Sequence, residues 1–246
     1  MDALGSRLKA AVMVPSTNTI VEPDYYSMAP NGCTFHVGRI LIRNQSLSND
    51  AEFENLLIQI RGAIDEAIDN VMTCEPDCMI MGMSAETFWG GKEGNLKFQT
   101  GIEEKTGLRV YTGADACNKA LQLYNAKKIA VVTPYQEVGD AQVVAFFRDY
   151  GYEVVKIIGL KCETAVAIAH VSEERLRDTL IELNEEDVDA IVQVGTNLSM
   201  AKLAGEAEKW LKKPVIAINT ATLWHALREQ GIHDKVYGFG SLLSEH

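Results

Sequence analysis

Short apolar runs alternate along this chain with longer stretches in which apolar positions recur at helical spacing. That alternation is the mark of β-α units feeding a parallel sheet. In the first half, strands are predicted near 9–14, 33–40, 78–83 and 109–112. Between the second and third, a helix is predicted over about 50–73, with Asn49 as N-cap and Glu52 three residues later. Leu56, Ile60, Ala63, Ile64, Ala67, Ile68 and Val71 form its apolar face. A more polar helix over 93–106 stops near Gly107, and another covers 114–125. The second half repeats the plan, with strands near 128–133, 153–158, 189–194 and 214–218. Its helices are predicted at 139–150 (ending at Gly151), after Ser172 with Leu176, Leu180 and Leu183 inward, and over 199–211 and 220–230.

The halves also echo one another in sequence. The run DCMIMGMS at 77–84 is answered by DAIVQVGTN at 189–197, and AVMVPSTNT at 11–19 by IAVVTPYQE at 129–137. NGCTFHVGRI at 31–40 pairs with YGYEVVKIIG at 150–159, and LRVYTGADACNKAL at 108–121 with KPVIAINTATLWHAL at 213–227. Matches kept in order mean two copies of one unit, with a site at their junction. The expected fold class is α/β: two pseudo-symmetric subdomains, residues 1–120 and 121–246, each a four-stranded parallel sheet flanked by helices. No flexible linker separates them, and the last helix of each half is expected to cross to the other.

Bulk properties narrow the function. A formal charge of -11 and an isoelectric point near 5.0 give no footprint for nucleic acid or an anionic membrane surface. No apolar run approaches a bilayer span, and the first strand begins within about ten residues, which predicts a cytoplasmic protein. Five scattered cysteines make no disulfide framework; Cys74 and Cys78 read as small hydrophobes at a helix end and strand start. The five histidines are dispersed, and no metal-ligand constellation is visible.

In open parallel sheets, ligands bind beyond the carboxyl ends of the strands. The unusual loops all fall there: PSTNT at 15–19 (Ser16, Thr17, Asn18), GMSAETFWGG at 82–91 (Gly82, Met83, Ser84), TPYQE at 133–137 (Thr133, Tyr135), GTNLSM at 195–200 (Gly195, Thr196, Asn197), and NTAT from Asn219. They are rich in hydroxyls, amides and glycine and poor in Lys and Arg. Neutral donors of this kind stabilise a carboxylate or enolate without the desolvation cost of an ion pair. Any one such loop is equally well an ordinary helix N-cap; the pseudo-symmetric set favours a binding role.

PSTNTIVEPDY at 15–25, TPYQEVGD at 133–140, GTNL at 195–198 and NTATLWHALREQGI at 219–232 resemble signatures of the Asp/Glu racemase superfamily, in its maleate cis-trans isomerase and arylmalonate decarboxylase branch. The resemblance covers nearly the whole chain. It implies a cleft site between two α/β halves, no cofactor, a small carboxylate as partner and a homo-oligomer. It further implies that Asn18 holds a substrate carboxylate, that Tyr135 bonds the substrate or a developing enediolate, and that Ser84, Thr196 and Asn197 form matching cradles. One departure stands out. Racemases and maleate isomerases of the superfamily carry a cysteine at the start of each central loop, and the decarboxylase keeps the second; here both positions read as glycine, Gly82 and Gly195.

Without a thiol, the nearest ionisable group is Glu86, beside Phe88 and Trp89, where aromatic surroundings would suit a general acid or base. Against this stands a solvated Glu in a first helical turn. Tyr135 is the second candidate, as oxyanion donor or proton source, and Trp89-Gly90-Gly91 a candidate cover over the cleft. His225 reads as packing. The expected function is a cofactor-independent lyase or isomerase acting through an enediolate. The rivals are a hydratase or hydrolase in which Glu86 activates water, and a non-catalytic carboxylate-binding protein.

Overall fold

The computed structural model describes residues 2–246. Its first half runs β1 (Leu8–Pro15), α1 (Val21–Met28), β2 (Cys33–Ile40), α2 (Asp50–Met72), β3 (Cys78–Met81), α3 (Ala85–Phe88), α4 (Gly91–Thr106), β4 (Val110–Tyr111) and α5 (Gly113–Leu123). The second runs β5 (Lys128–Thr133), α6 (Glu137–Asp149), β6 (Glu153–Gly159), α7 (Glu173–Leu183), β7 (Ala190–Gln193), α8 (Ala201–Leu211), β8 (Val215–Ala217), α9 (Ile218–Glu229) and α10 (Ser241–Glu245). The two sheets have the same order, β2-β1-β3-β4 and β6-β5-β7-β8, and every pairing is parallel. Two α/β layers built from four-stranded parallel sheets are therefore present, as the alternating pattern predicts.

Local chemistry accounts for the elements. The central strands β1, β3, β5 and β7 are buried almost throughout, and their continuous apolar runs suit strands covered on both faces. Asn49 caps α2 by accepting from Glu52 N–H at 3.0 Å. Glu52 does not close a capping box but accepts instead from Ser48 N–H and Ser46 Oγ, tying down the loop before the helix. Gly107, in the left-handed region at φ 69°, ends α4, and Ser172 caps α7 through Arg175 N–H. Three helices escape the sequence pattern: α1, α3 and α10. The first carries Pro23 and a weak apolar stripe, and the other two are about one turn long.

One continuous core contains residues of both sheets, including Val12 and Ile80 of the first and Val131 and Val192 of the second. A smaller cluster lies beneath α7 and α8. Helix α9, last of the second half, packs on α1, α5, β3 and β4 of the first. Loops 41–49 and 160–168, which follow the equivalent strands β2 and β6, meet across the cleft: Ser46 bridges Thr164, Leu47 N–H donates to Glu163 O, and Val166 N–H to Asn44 Oδ1. No helix among the described residues is long and apolar enough to cross a membrane.

Candidate active site

The carboxyl ends of β1, β3, β5 and β7 face one another beneath those crossed loops. Between them lies a cavity of ≈ 60 Å³. At about 10–15 Å³ per water, it holds a handful of waters or a small organic acid. Its lining includes Thr17, Asn18, Met83, Ser84, Tyr135, Gly195, Thr196 and Asn197 from the strand-end loops, with Pro15, Ala85 and Pro134. Ile42, Leu56, Ile60, Ala165 and Ile168 add an apolar surface.

The two ends of the Asn18 amide are engaged on different sides. Its Oδ1 accepts from Ile20 and Val21 N–H, both at 3.0 Å, starting α1. That fixes the amide's orientation, so Nδ2 points across the cleft and donates to Thr196 Oγ1 at 3.3 Å. Thr196 Oγ1 in turn donates to Gly82 O at 3.1 Å, and Thr196 N–H to Ser84 Oγ at 3.3 Å. Ser84 Oγ meets the Tyr135 hydroxyl at 2.5 Å. Side chains from all four loops thus join in one hydrogen-bonded chain along the cavity. An ionised carboxylate only accepts hydrogen bonds, and an enediolate is its close electronic relative.

Asn197 works differently from the expectation. Its Oδ1 accepts from Thr19 N–H and its Nδ2 donates to Ala165 O, so the side chain staples three loops around the cavity. Gln193, buried at the end of β7, donates to Gly195 O at 2.8 Å and accepts from Ile218 N–H, holding the tight turn in which Gly195 takes φ 107°.

Among the described residues, Tyr135 is the only titratable one lining the cavity. Complete burial pushes its phenol far above the ordinary tyrosine value, against the smaller opposing effect of the Ser84 hydrogen bond. It stays a protonated donor at any physiological pH. Its ring packs edge-on against Phe53, with centroids 5.2 Å apart.

Five residues singled out from sequence do not line this cavity. Ser16 exchanges hydrogen bonds with the backbone of Ile42, fixing the crossing loop. Gly82 contributes its carbonyl to Thr196. Thr133 accepts from Tyr135 N–H, and Asn219 Nδ2 donates to Thr196 O and to Asp24 Oδ2, so both support the loops from behind. Glu86 faces elsewhere: Oε1 accepts from Arg61 Nε at 2.8 Å, Oε2 is sealed and unpartnered among the described residues, and the side chain borders a separate cavity of ≈ 550 Å³ beside α2 and α4. The reason is helical geometry. Ser84 precedes α3 and points inward, and two residues further, about 200° around a helix, Glu86 points out. Trp89 borders the same outer cavity and stacks on Phe53, so the cover over the inner cavity is the pair of crossed loops instead.

The apolar wall is what sequence reasoning missed. Leu56 and Ile60 were recognised as the inner face of α2, but nothing local distinguishes a residue facing a cavity from one facing the core. None of the five cysteines lines the cavity. Burial raises Cys78 to about 12 and Cys117 further, so both are inert thiols. His225 packs edge-on against Tyr111, and burial holds it neutral by lowering its value.

Two half-buried carboxyls stand behind the cradle. Loss of hydration raises Asp24 to about 6, overcoming the Asn219 donor, and raises Asp140 to about 6, overcoming Thr133. An acid raised above its unfolded value of 3.8 is more protonated in the native state between roughly pH 4 and 6, so the stability it contributes is lost as pH rises through that window. Asp24→Asn removes the ionisation. Its stability relative to the unsubstituted protein, from urea unfolding, is expected to improve by about 1–2 kcal/mol between pH 5 and pH 8. A difference that is flat with pH would contradict this.

The chain matches the family described as arylmalonate decarboxylase over residues 11–243. Maleate isomerase of Pseudomonas putida KT2440 is 25% identical over 245 residues, covering 94% of this chain and 95% of that protein. Among solved structures, a cysteine-to-serine mutant of Nocardia farcinica maleate cis-trans isomerase, with a covalently bound succinylcysteine intermediate, superposes with a TM-score of 0.85 at 22% identity, covering 96% and 98% of the two chains. A double mutant of arylmalonate decarboxylase in the liganded form gives 0.82 at 18% identity, covering 96% and 98%.

Proposed function

The chain belongs to the arylmalonate decarboxylase family, and we propose that within it this protein is a cofactor-independent decarboxylase of small substituted malonates that uses no cysteine. The observation that carries the reading is the cavity's lining, which combines neutral hydrogen-bonding residues from all four strand-end loops with apolar side chains and includes no cation and no thiol. One carboxylate sits in the cradle of Asn18, Ser84, Tyr135 and Thr196, while the substituent packs against Ile42, Leu56, Ile60 and Ile168. The bond from the α-carbon to the second carboxylate then breaks, CO₂ departs, and the electron pair enters the enediolate of the first. The donors gain strength as that charge develops, and this difference between ground and transition state accelerates the step. A proton from water or from Tyr135 completes the product at the α-carbon.

Cis-trans isomerisation of maleate is the second reading, favoured by the curated relative. The Nocardia enzyme's succinylcysteine intermediate needs a thiol in reach of the alkene, which this cavity does not supply. The test is CO₂ release from unsubstituted, alkyl and aryl malonates, with cis-trans interconversion of maleate followed in parallel. Turnover of the substituted malonates is expected. Turnover of maleate alone would replace the reading by the second, and absence of both turnover and binding would remove it.

Activation of water by Glu86 is disfavoured by its orientation and its pairing with Arg61. Glu86→Gln is accordingly expected to keep kcat within about threefold, well short of the 10²–10⁴-fold that general acid-base catalysis contributes. Loss of turnover together with ¹⁸O incorporation from solvent would return the water-chemistry reading.

A further inference from the structure

Tyr135 is held from behind by residues that touch nothing in the cavity. Thr133 Oγ1 donates to Asp140 Oδ1 and accepts Tyr135 N–H at 3.0 Å, while Thr133 O accepts Leu160 N–H at 2.8 Å. Asp140 Oδ2 rests against Gly159, where any Cβ would collide with that carboxylate and come within 2.8 Å of Tyr135 O. We propose that Asp140 is a positioning residue for Tyr135, acting through Thr133. An ionised Asp140 only accepts, so it draws the Thr133 proton towards itself and leaves a Thr133 lone pair for Tyr135 N–H. A protonated Asp140 can donate to Thr133, in competition with that amide.

The first half places an aspartate at the same helical position, but its link runs through Asn219 to Thr196 of the second half. Asp24 is the fourth residue of α1, as Asp140 is of α6. Its Oδ2 accepts from Asn219 Nδ2 at 2.9 Å, and the same amide holds Thr196 O at 3.0 Å. Each half thus has a half-buried aspartate one side chain removed from a cradle loop.

The charges around Asp140 are few. Lys161, after β6, favours the ionised form and is itself paired with Glu137 at 2.9 Å; Glu137 opposes it. Asp50, at the start of α2, accepts Val138 N–H, and α3 offers Glu86, held by Arg61. Helix α4 meets α6 at its far end, where Lys92 N–H donates to Asp149. With burial dominant, Asp140 titrates at about 6.

The catalytic consequence rests on the function proposed above, so the first measurement needs no turnover. In intact protein labelled with ¹⁵N-tyrosine, the Tyr135 amide is the signal missing from Tyr135→Phe. Between pH 5 and 8 its shift is expected to move with a midpoint about 6, and in Asp140→Asn to lose that midpoint while the other tyrosine signals keep their places. A static Tyr135 signal in the unsubstituted protein, or the same titration in Asp140→Asn, overturns the proposal even if malonates are turned over. With an active malonate, Asp140→Asn should lower kcat more than it changes KM, by up to about 10²-fold, as misplacement by an ångström does. In a Tyr135→Phe background it should cost little more. Full additivity of the two substitutions would also overturn it.

Discussion

Tyr135→Phe is expected to lower kcat on a substituted malonate by about 10²–10³-fold, the loss that follows removal of one donor from an oxyanion cradle. The substitution keeps the ring and its edge-on contact with Phe53, and removes only the hydroxyl that meets Ser84 Oγ at 2.5 Å. Its cost in stability should therefore be about 1 kcal/mol, one hydrogen bond. The large kinetic effect has a specific origin. The hydroxyl is buried and stays protonated, and under the proposed mechanism it faces the developing enediolate in a cavity whose lining holds no competing cation. Steady-state kinetics and thermal unfolding of the same preparation separate the two effects. A kcat within about threefold of the unsubstituted enzyme would show that the Tyr135 hydroxyl is not a cradle donor.

Gly195→Cys is expected to destabilise the protein by about 2–6 kcal/mol and to yield no reactive thiol at the position where resembling enzymes suggest one. Gly195 stands at φ 107°, a conformation costing a side chain about 1–3 kcal/mol, and any Cβ there runs into the ring of Pro134. Overpacking adds about 1–3 kcal/mol. Gly82→Cys meets a similar obstacle: its Cβ would lie 2.6 Å from Val14 Cγ1, 3.0 Å from Val21 Cγ1 and 3.1 Å from Met13 O. Neighbouring side chains and backbone already fill the space a thiol would need, so simple grafting fails for steric reasons. Denaturant unfolding and titration of fast-reacting thiols test this. Wild-type stability together with a newly reactive cysteine at either position would refute it.

The loops at the strand ends could be located because a strand's end and the polar residues after it are written next to each other in the chain. Ser84, Tyr135, Thr196 and Asn18 were found in this way, and they do meet. Glu86 was singled out by the same proximity, and there proximity misleads, because a single helical turn sets neighbouring residues on opposite faces. Asn18 was ambiguous between cap and ligand-binding group; the structure gives its oxygen to the cap and its nitrogen to the cleft. Ile42 and Ala165 carried no signal at all, since they reach the cavity only where two loops far apart in sequence cross.

By itself, the amino-acid sequence determined the repeated α/β plan, the strands, the polar loops and the absence of cysteine from them, because each depends on neighbours within a few residues. Only the tertiary structure decided that Glu86 turns away from the cavity, that apolar side chains from distant segments line it, and that half-buried aspartates stand behind its loops. Those outcomes depend on how separate segments pack, which no short stretch of sequence contains.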